Sequence, residues 1–226
     1  TGDTLGSAPA IGDDGTIWGG EAFYGNIQKS RRAGHLLPFP LLGGDAAARE
    51  PWRPALALAE IALGREEALS LHSHKSGAEI LLRARDAGIN APVSTSMGRL
   101  FDAVSSLAGV RDVSSYEGQA AVELEQAADM GFPGNYRFDI FEESETLVFD
   151  WRNLVRAAVF DAKAGLGAGA ISAKFHRACA ALVRDAALLL RERTGCFTVA
   201  LSGGCFMNEI LYQESGKLLE AEGFCV

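Results

Sequence analysis

Apolar residues recur along most of this chain at helical spacing, with a few short runs of strand character between them. Pro51 or Trp52 opens a helix that runs to about Leu63, and Pro54 fits in its first turn, where no intrahelical N–H is needed. Residues 76–87 read as a second helix, stopped by Gly88. Ser94 or Ser96 caps a third, Met97 to Leu107, whose Leu100, Val104 and Leu107 make one apolar stripe. Gln119 to Met130 gives a fourth, about Trp151–Ala162 a fifth, and Ile171 to Arg193 a long sixth ended by Gly195. Strand character is confined to residues 11–28, read as strand or hairpin, to one or two short strands within Tyr136–Phe149, and to Thr198–Leu201. Residues 35–50 read as a Pro- and Gly-rich loop, and no internal repeat of solenoid period is present.

Thr198–Leu201 is the most informative of these runs. An apolar strand is followed by Ser202-Gly203-Gly204 and then by a helix expected to start at once, with Asn208 about one turn into it. Two glycines permit φ > 0 and let a ligand approach without a Cβ in the way. The helix start aims its unpaired N–H groups at the same spot, a corner suited to phosphate at the carboxyl end of a strand. A plain strand–helix turn that needs small residues for packing is the competing reading.

Composition narrows the class. In 226 residues, 48% hydrophobic and 22% charged, there is material for one large domain or two lobes with real cores. The net charge of −8, with scattered acids, does not suggest a nucleic-acid surface. No apolar run approaches the roughly 20 residues that span a bilayer. Cys179, Cys196, Cys205 and Cys225 form no C-x-x-C pair, so a zinc site of their own is not expected. Cys179 and Cys205 sit in apolar contexts as buried thiols, in keeping with a reducing cytoplasm. The chain opens without Met and closes on Gly223-Phe224-Cys225-Val226, which reads as the first residues of a strand; a piece of a longer chain is expected.

Other candidates carry bland alternatives. Gly165-Leu166-Gly167-Ala168-Gly169 superficially matches a dinucleotide loop but follows no strand, so it reads as a linker before the long helix. His72 and His74 alternate in a polar stretch with no third ligand at useful spacing, and read as a solvated loop before a metal site. His176, beside Phe175 and Arg177, reads as a helix-surface or hydrogen-bonded histidine rather than a catalyst. Asp102 is an acid inside an apolar helix, facing solvent, capping a neighbour, or holding a ribose.

Several stretches, taken in order, resemble one family. Asp13-Asp14-Gly15-Thr16-Ile17-Trp18-Gly19-Gly20-Glu21 resembles the D-G-T-x-W-G-G-E segment of the NiFe-hydrogenase maturation carbamoyltransferases, the HypF family. Pro38-Phe39-Pro40, Gly43-Gly44-Asp45, Arg49-Glu50-Pro51-Trp52-Arg53, Ile89-Asn90-Ala91-Pro92 and Ser96-Met97-Gly98-Arg99-Leu100-Phe101-Asp102-Ala103-Val104 fit the same family. Tyr116-Glu117-Gly118, Phe175-His176-Arg177-Ala178 and Ser202-Gly203-Gly204 with Asn208 complete the set, which covers residue 11 to the end. The order is specific, because no single fold requirement explains both Trp-Gly-Gly-Glu and Gly-Arg-Leu-Phe-Asp-Ala-Val.

The resemblance implies an α/β, helix-rich fold of the actin-like ATPase and sugar-kinase (ribonuclease-H-like) type, incomplete at both ends. Residues 1–226 then form most of one carbamoyl-transfer domain and contribute to two lobes. Such proteins are related to the enzymes that place threonylcarbamoyl on tRNA adenosine. They carry further modules: an acylphosphatase-like domain, zinc-finger motifs and a domain that makes carbamoyl-adenylate. The family uses ATP and carbamoyl phosphate and passes the carbamoyl group to the C-terminal cysteine of HypE, where it becomes the cyanide precursor. Carried over by motif, Trp18, Gly19, Gly20 and Glu21 match one phosphate-side loop, Asp102, Gly118 and Glu123 the nucleoside side, and Gly203, Gly204 and Asn208 a second phosphate-side corner.

Departures limit the transfer. The family's metal-binding histidines lie upstream of this sequence and its metal-binding D-G-G segment downstream, so no metal ligand is assigned within the chain. Ser7-Ala8-Pro9-Ala10 stands where the family carries a D-G-T-G-like run. No covalent nucleophile is evident, the accepting thiol being the partner's. A small-molecule O-carbamoyltransferase on the same scaffold, or a module that only binds nucleotide or docks a partner, are the alternatives. Upstream acylphosphatase and zinc-finger modules, or nucleotide binding without turnover, would separate them.

Overall fold

A computed structural model describes residues 4–6, 10–11, 17–18, 20–26 and 29–226. Nine strands are defined among them: β1 Thr4–Gly6, β2 Ala10–Ile11, β3 Ile17–Trp18, β4 Glu21–Asn26, β5 Lys29–Leu36, β6 Phe39–Pro40, β7 Val93–Ser94, β8 Asp139–Glu143 and β9 Thr146–Asp150. The helices are α1 Ala46–Arg49, α2 Trp52–Leu63, α3 Arg65–Leu71, α4 Ala78–Asp86, α5 Met97–Leu107, α6 Gln119–Ala127, α7 Arg152–Lys163, α8 Ala168–Thr194 and α9 Glu209–Ala221, with a 3-10 turn at Gly204–Met207.

One sheet has the order β1-β4-β5-β9-β8, with β5 and β9 parallel through Gly34↔Leu147, His35↔Val148 and Leu36↔Phe149. The other has the order β2-β3-β7-β6. The strand or hairpin expected across 11–28 is met by β3, paired antiparallel with β2, and by β4, which belongs to the other sheet; the rest of that stretch lies outside the described residues. The loop expected at 35–50 is corrected. β5 reaches Leu36, and β6 and α1 fall inside that stretch. The first half of β5, Lys29-Ser30-Arg31-Arg32, is largely exposed, so it shows no apolar alternation from which a strand could be read.

Helix α2 is apolar nearly all round, and Trp52, Pro54, Ala55, Leu56, Ala57, Leu58, Ala59 and Ala62 are buried. A helix of that pattern belongs inside a protein, and it packs against α5 and α7. α5 begins where expected, with the Ser96 hydroxyl accepting from the Arg99 N–H at 3.3 Å. Trp151 is fully buried; its indole N–H donates to the Leu37 carbonyl at 2.7 Å and its ring meets Phe39 edge-on. α8 spans 27 residues, about 40 Å, and ends at Gly195 in the left-handed region.

Three elements differ from the sequence reading by three residues or in kind. α6 stops at Ala127 rather than Met130, because Ala128 turns extended and the Asp129 N–H bonds to the Gly169 carbonyl. α8 begins at Ala168, so the last two residues of the Gly165–Gly169 run are helical and the rest is a linker. Thr198–Leu201 is no full strand: Thr198 makes one parallel bridge to Cys225, and Val199 alone of the four is buried. Among the described residues the pairing runs to one side: Val199 donates to the Cys225 carbonyl and Cys225 donates back to that of Phe197.

Candidate functional site

A cleft of about 690 Å³ opens beside α8. Its floor is apolar, formed by Cys179, Leu182, Val183, Ala186 and Ala187 of α8 with Phe149 and Val199. Its polar rim comes from four separate stretches: Gly20–Glu21, Ser96–Asp102, Glu117–Gly118 with Glu125, and Ser202–Asn208. Of the residues selected from the sequence, Gly20, Glu21, Asp102, Gly118, Gly203, Gly204 and Asn208 therefore meet at one place. Trp18 is described only as part of β3, and Gly19 lies outside the described residues. Glu123 does not reach the cleft: its carboxylate pairs with Arg111 and accepts from the Gln119 amide.

Gly20 and Gly203 are required by geometry. A Cβ at Gly20 would stand 2.6 Å from the Thr95 carbonyl oxygen. Gly203 has φ +94°, a conformation L side chains resist. Gly118 is left-handed and leads into α6. Glu21 is buried, with its carboxylate held by the Arg32 guanidinium through both oxygens and by the Thr95 hydroxyl, so it braces the loop it belongs to.

The Gly203 corner departs from the expected helix start. The segment after Gly203 is a 3-10 turn, and Asn208 is the N-cap of α9 rather than a residue one turn inside it. Its side-chain oxygen accepts from the Leu211 N–H at 2.8 Å. The Glu125 carboxylate accepts from the N–H groups of Glu209 at 2.7 Å and Ile210 at 3.3 Å. The mouth of α9 is thus already satisfied, and it is the tight turn that offers donors: no described residue accepts from the N–H of Gly203, Gly204 or Cys205. Successive N–H groups left without an acceptor in this way can bind an anion.

Beside this corner, near enough to Cys205 to act on its thiol electrostatically, Asp102 is buried and lies on the cleft, not in solvent. Its Oδ2 is 2.9 Å from Nη1 of Arg99, close enough for ion pairing, yet the alignment makes no hydrogen bond, and both atoms are buried without a directed partner among the described residues. Burial pushes the Asp102 carboxyl up to about 6, against the pull of Arg99 and with a small push from Glu117. Two buried, opposite-charged atoms lacking directed bonds on a cleft wall are a place for ligand hydroxyls or phosphate oxygens. Arg99 was not singled out in the sequence, although it lies within the Gly98–Val104 motif.

His176 is fully buried, so of its two readings the hydrogen-bonded one holds and the helix-surface one is corrected. Its Nδ1–H donates to the Ser172 carbonyl at 2.8 Å, and its Nε2 lies 2.9 Å from the Asn208 amide nitrogen. Burial holds its pKa below the usual histidine value. His72 is also buried, donating from Nδ1 to the Ala68 carbonyl at 2.8 Å, so the solvated-loop reading holds for the exposed His74 alone. Among the described residues no three His, Cys, Asp or Glu side chains gather to hold a metal, and no helix is long and apolar enough to cross a membrane. Cys179 is buried; Cys205 is half-buried, and burial raises its thiol to about 11.

Comparison with known proteins agrees with the motif order. Residues 10–226 match the family model described as the carbamoyltransferase Kae1-like domain, second subdomain. Carbamoyltransferase HypF of Rhizobium leguminosarum bv. viciae is 38% identical over 94% of this chain and 27% of its own length. A HypF homolog of Cupriavidus necator is 36% identical over 94% of this chain and 56% of its own length. The crystal structure of full-length HypF in its phosphate- and nucleotide-bound form is 32% identical, with a TM-score of 0.91 over all of this chain and 30% of that one. HypF of T. kodakarensis gives a TM-score of 0.77 at 27% identity, over 97% of this chain and 30% of that one. The fold is thus the α/β, helix-rich one expected from the resemblance, and the chain spans about a third of the length of most of these relatives. With its motifs, its fold and nearly its whole length matched, the chain belongs to the HypF carbamoyltransferase family, as the second subdomain of the Kae1-like domain.

Proposed function

We propose that this chain supplies the nucleotide side of a carbamoyl-transfer domain in hydrogenase maturation. ATP or carbamoyl-adenylate lies in the cleft beside α8. Its phosphates meet the N–H groups of Gly203, Gly204 and Cys205, and its ribose meets Asp102 near Gly118. The observation that carries this reading is the convergence, on one cleft, of Gly20, Asp102, Gly118, Gly203 and Asn208 from stretches far apart in sequence. The nucleotide-bound state of the full-length relative supports it.

The residues fit such a ligand. A carboxylate with an unpartnered oxygen can accept from ribose hydroxyls, and a glycine turn whose donors have no described acceptor suits phosphate. The apolar floor excludes water, which strengthens each charged contact. When bound, ATP supplies the leaving group that activates the carbamoyl carbon, and this chain's part is to bind and orient it. No metal role is drawn from this chain. The acceptor is the C-terminal cysteine thiol of a HypE-like partner, and carbamoyl phosphate is the carbamoyl source.

Mass spectrometry of HypE tests the reading, after incubation with the full-length protein, ATP and carbamoyl phosphate. A carbamoyl mass increment on the terminal cysteine, lost when Gly203 is replaced by Val, is the expected result. An increment that survives Gly203→Val would overturn the site, and none with wild-type protein would overturn the activity.

A further inference from the structure

His176 does not itself line the cleft, yet its ring contacts Asn208 and Phe101, which do. The connection has a defined polarity. A carbonyl can only accept, so the 2.8 Å contact between Nδ1 and the Ser172 carbonyl places the ring hydrogen on Nδ1. Nε2 of the neutral ring is then an acceptor, and the Asn208 amide nitrogen, 2.9 Å away, donates to it. The other end of that amide accepts from the Leu211 N–H at 2.8 Å. Both ends of the side chain are thereby assigned, and one amide hydrogen remains without a described partner on a residue that lines the cleft.

The ring is fixed in turn. It is fully buried, edge-on to Phe101 with centroids 5.4 Å apart and to Phe175 at 5.9 Å. The Ser172 hydroxyl lies 3.2 Å from Nδ1 and donates to the Leu124 carbonyl of α6. A series of hydrogen bonds therefore runs from α6 through α8 to the first residue of the α9 cap.

We infer that His176 is a positioning residue for the cleft: through its Nε2 acceptor it holds the Asn208 amide with a donor, not an oxygen, available to the phosphate-side ligand. This rests on the proposed nucleotide site. An isolated asparagine amide can turn over at little cost; here a flip would set the amide oxygen against the Nε2 lone pair and remove the cap on Leu211.

The test is isothermal titration of the full-length protein with ADP, and the Gly203→Val variant identifies which binding belongs to this cleft. His176→Leu removes the acceptor, and the expected loss at that site is about ten- to a hundred-fold. His176→Gln puts an oxygen acceptor near the place of Nε2 and restores most of the affinity. Wild-type affinity in His176→Leu, or equal loss in His176→Gln, overturns the inference and leaves the site standing. If His176→Leu does not fold, Asn208→Asp carries the test: it keeps the cap but loses the donor, so wild-type affinity there overturns the inference. Unchanged binding in Gly203→Val overturns the site itself, and the inference with it.

Discussion

The Asn208 amide nitrogen lies 2.9 Å from Nε2 of His176, while the amide oxygen caps α9 by accepting from Leu211. Asn208 therefore serves the helix and the cleft at once. Asn208→Ala is expected to lower stability by about 1 kcal/mol through the lost cap alone, whatever it does to ligand. Thermal unfolding of the full-length variant reads this; an unchanged midpoint would mean the cap contributes nothing.

Asp102 separates binding from stability more cleanly. Its folded pKa of about 6 lies above the ordinary carboxylate value of 3.8, so the folded state holds more protons than the unfolded one between those values. Stability then falls as pH rises through that window and stays reduced above it. Asp102→Asn removes the buried charge and is expected to raise stability at neutral pH by about 1–3 kcal/mol. It also removes an acceptor for ribose hydroxyls, so nucleotide affinity drops in the same variant. Denaturant unfolding and ADP titration check the pair; destabilisation with unchanged affinity would contradict both halves.

How much of this was legible in the sequence differs by element. α2, α5 and α8 were readable because each is a largely apolar run of helix length whose ends carry Pro51, Ser96 and Gly195 respectively. β5 was not, because its first half is exposed and polar. α3, Arg65–Leu71, begins only two residues after α2 ends, at Gly64, so the sequence showed no second start there. Within the site, Gly203 and Asn208 came from the strand–turn–helix pattern, Asp102 from an acid inside an apolar helix, and Gly118 from motif order. What order could not give was the partner of each atom. The α9 N–H groups looked open to phosphate because Glu125, which occupies two of them, lies 84 positions from Glu209 in the chain. His176 looked like a surface or hydrogen-bonded residue because its partner Asn208 is 32 positions away.

The His176 ring has its own pH signature. Its folded pKa is lowered below 6.5 by burial, so the unfolded state binds more protons just below that value. The stability of the neutral ring is full above pH 6.5 and is lost as pH falls through the folded pKa. Ser172 and Asn208 face the ring by hydrogen bonds, and Glu125 is the nearby acid that offsets burial in part. His176→Gln is expected to remove this component from the stability profile between neutral and mildly acid pH, and an identical slope in both proteins would count against it.

Glu125 ties α6 to the start of α9. Glu125→Ala frees the N–H groups of Glu209 and Ile210 and is expected to cost about 0.5–2 kcal/mol, as the loss of a helix-start acceptor does. Amide hydrogen exchange localises it: faster exchange at the first turn of α9, with α2 unaffected. Uniformly faster exchange would instead indicate general loosening.

The most direct measurement is the crystal structure of the full-length protein with a non-hydrolysable ATP analogue. The nucleotide is expected beside α8, with its phosphates on Gly203–Cys205 and its ribose within hydrogen-bond reach of Asp102. A nucleotide bound only elsewhere in the protein, with this cleft empty at saturating ligand, would contradict that expectation.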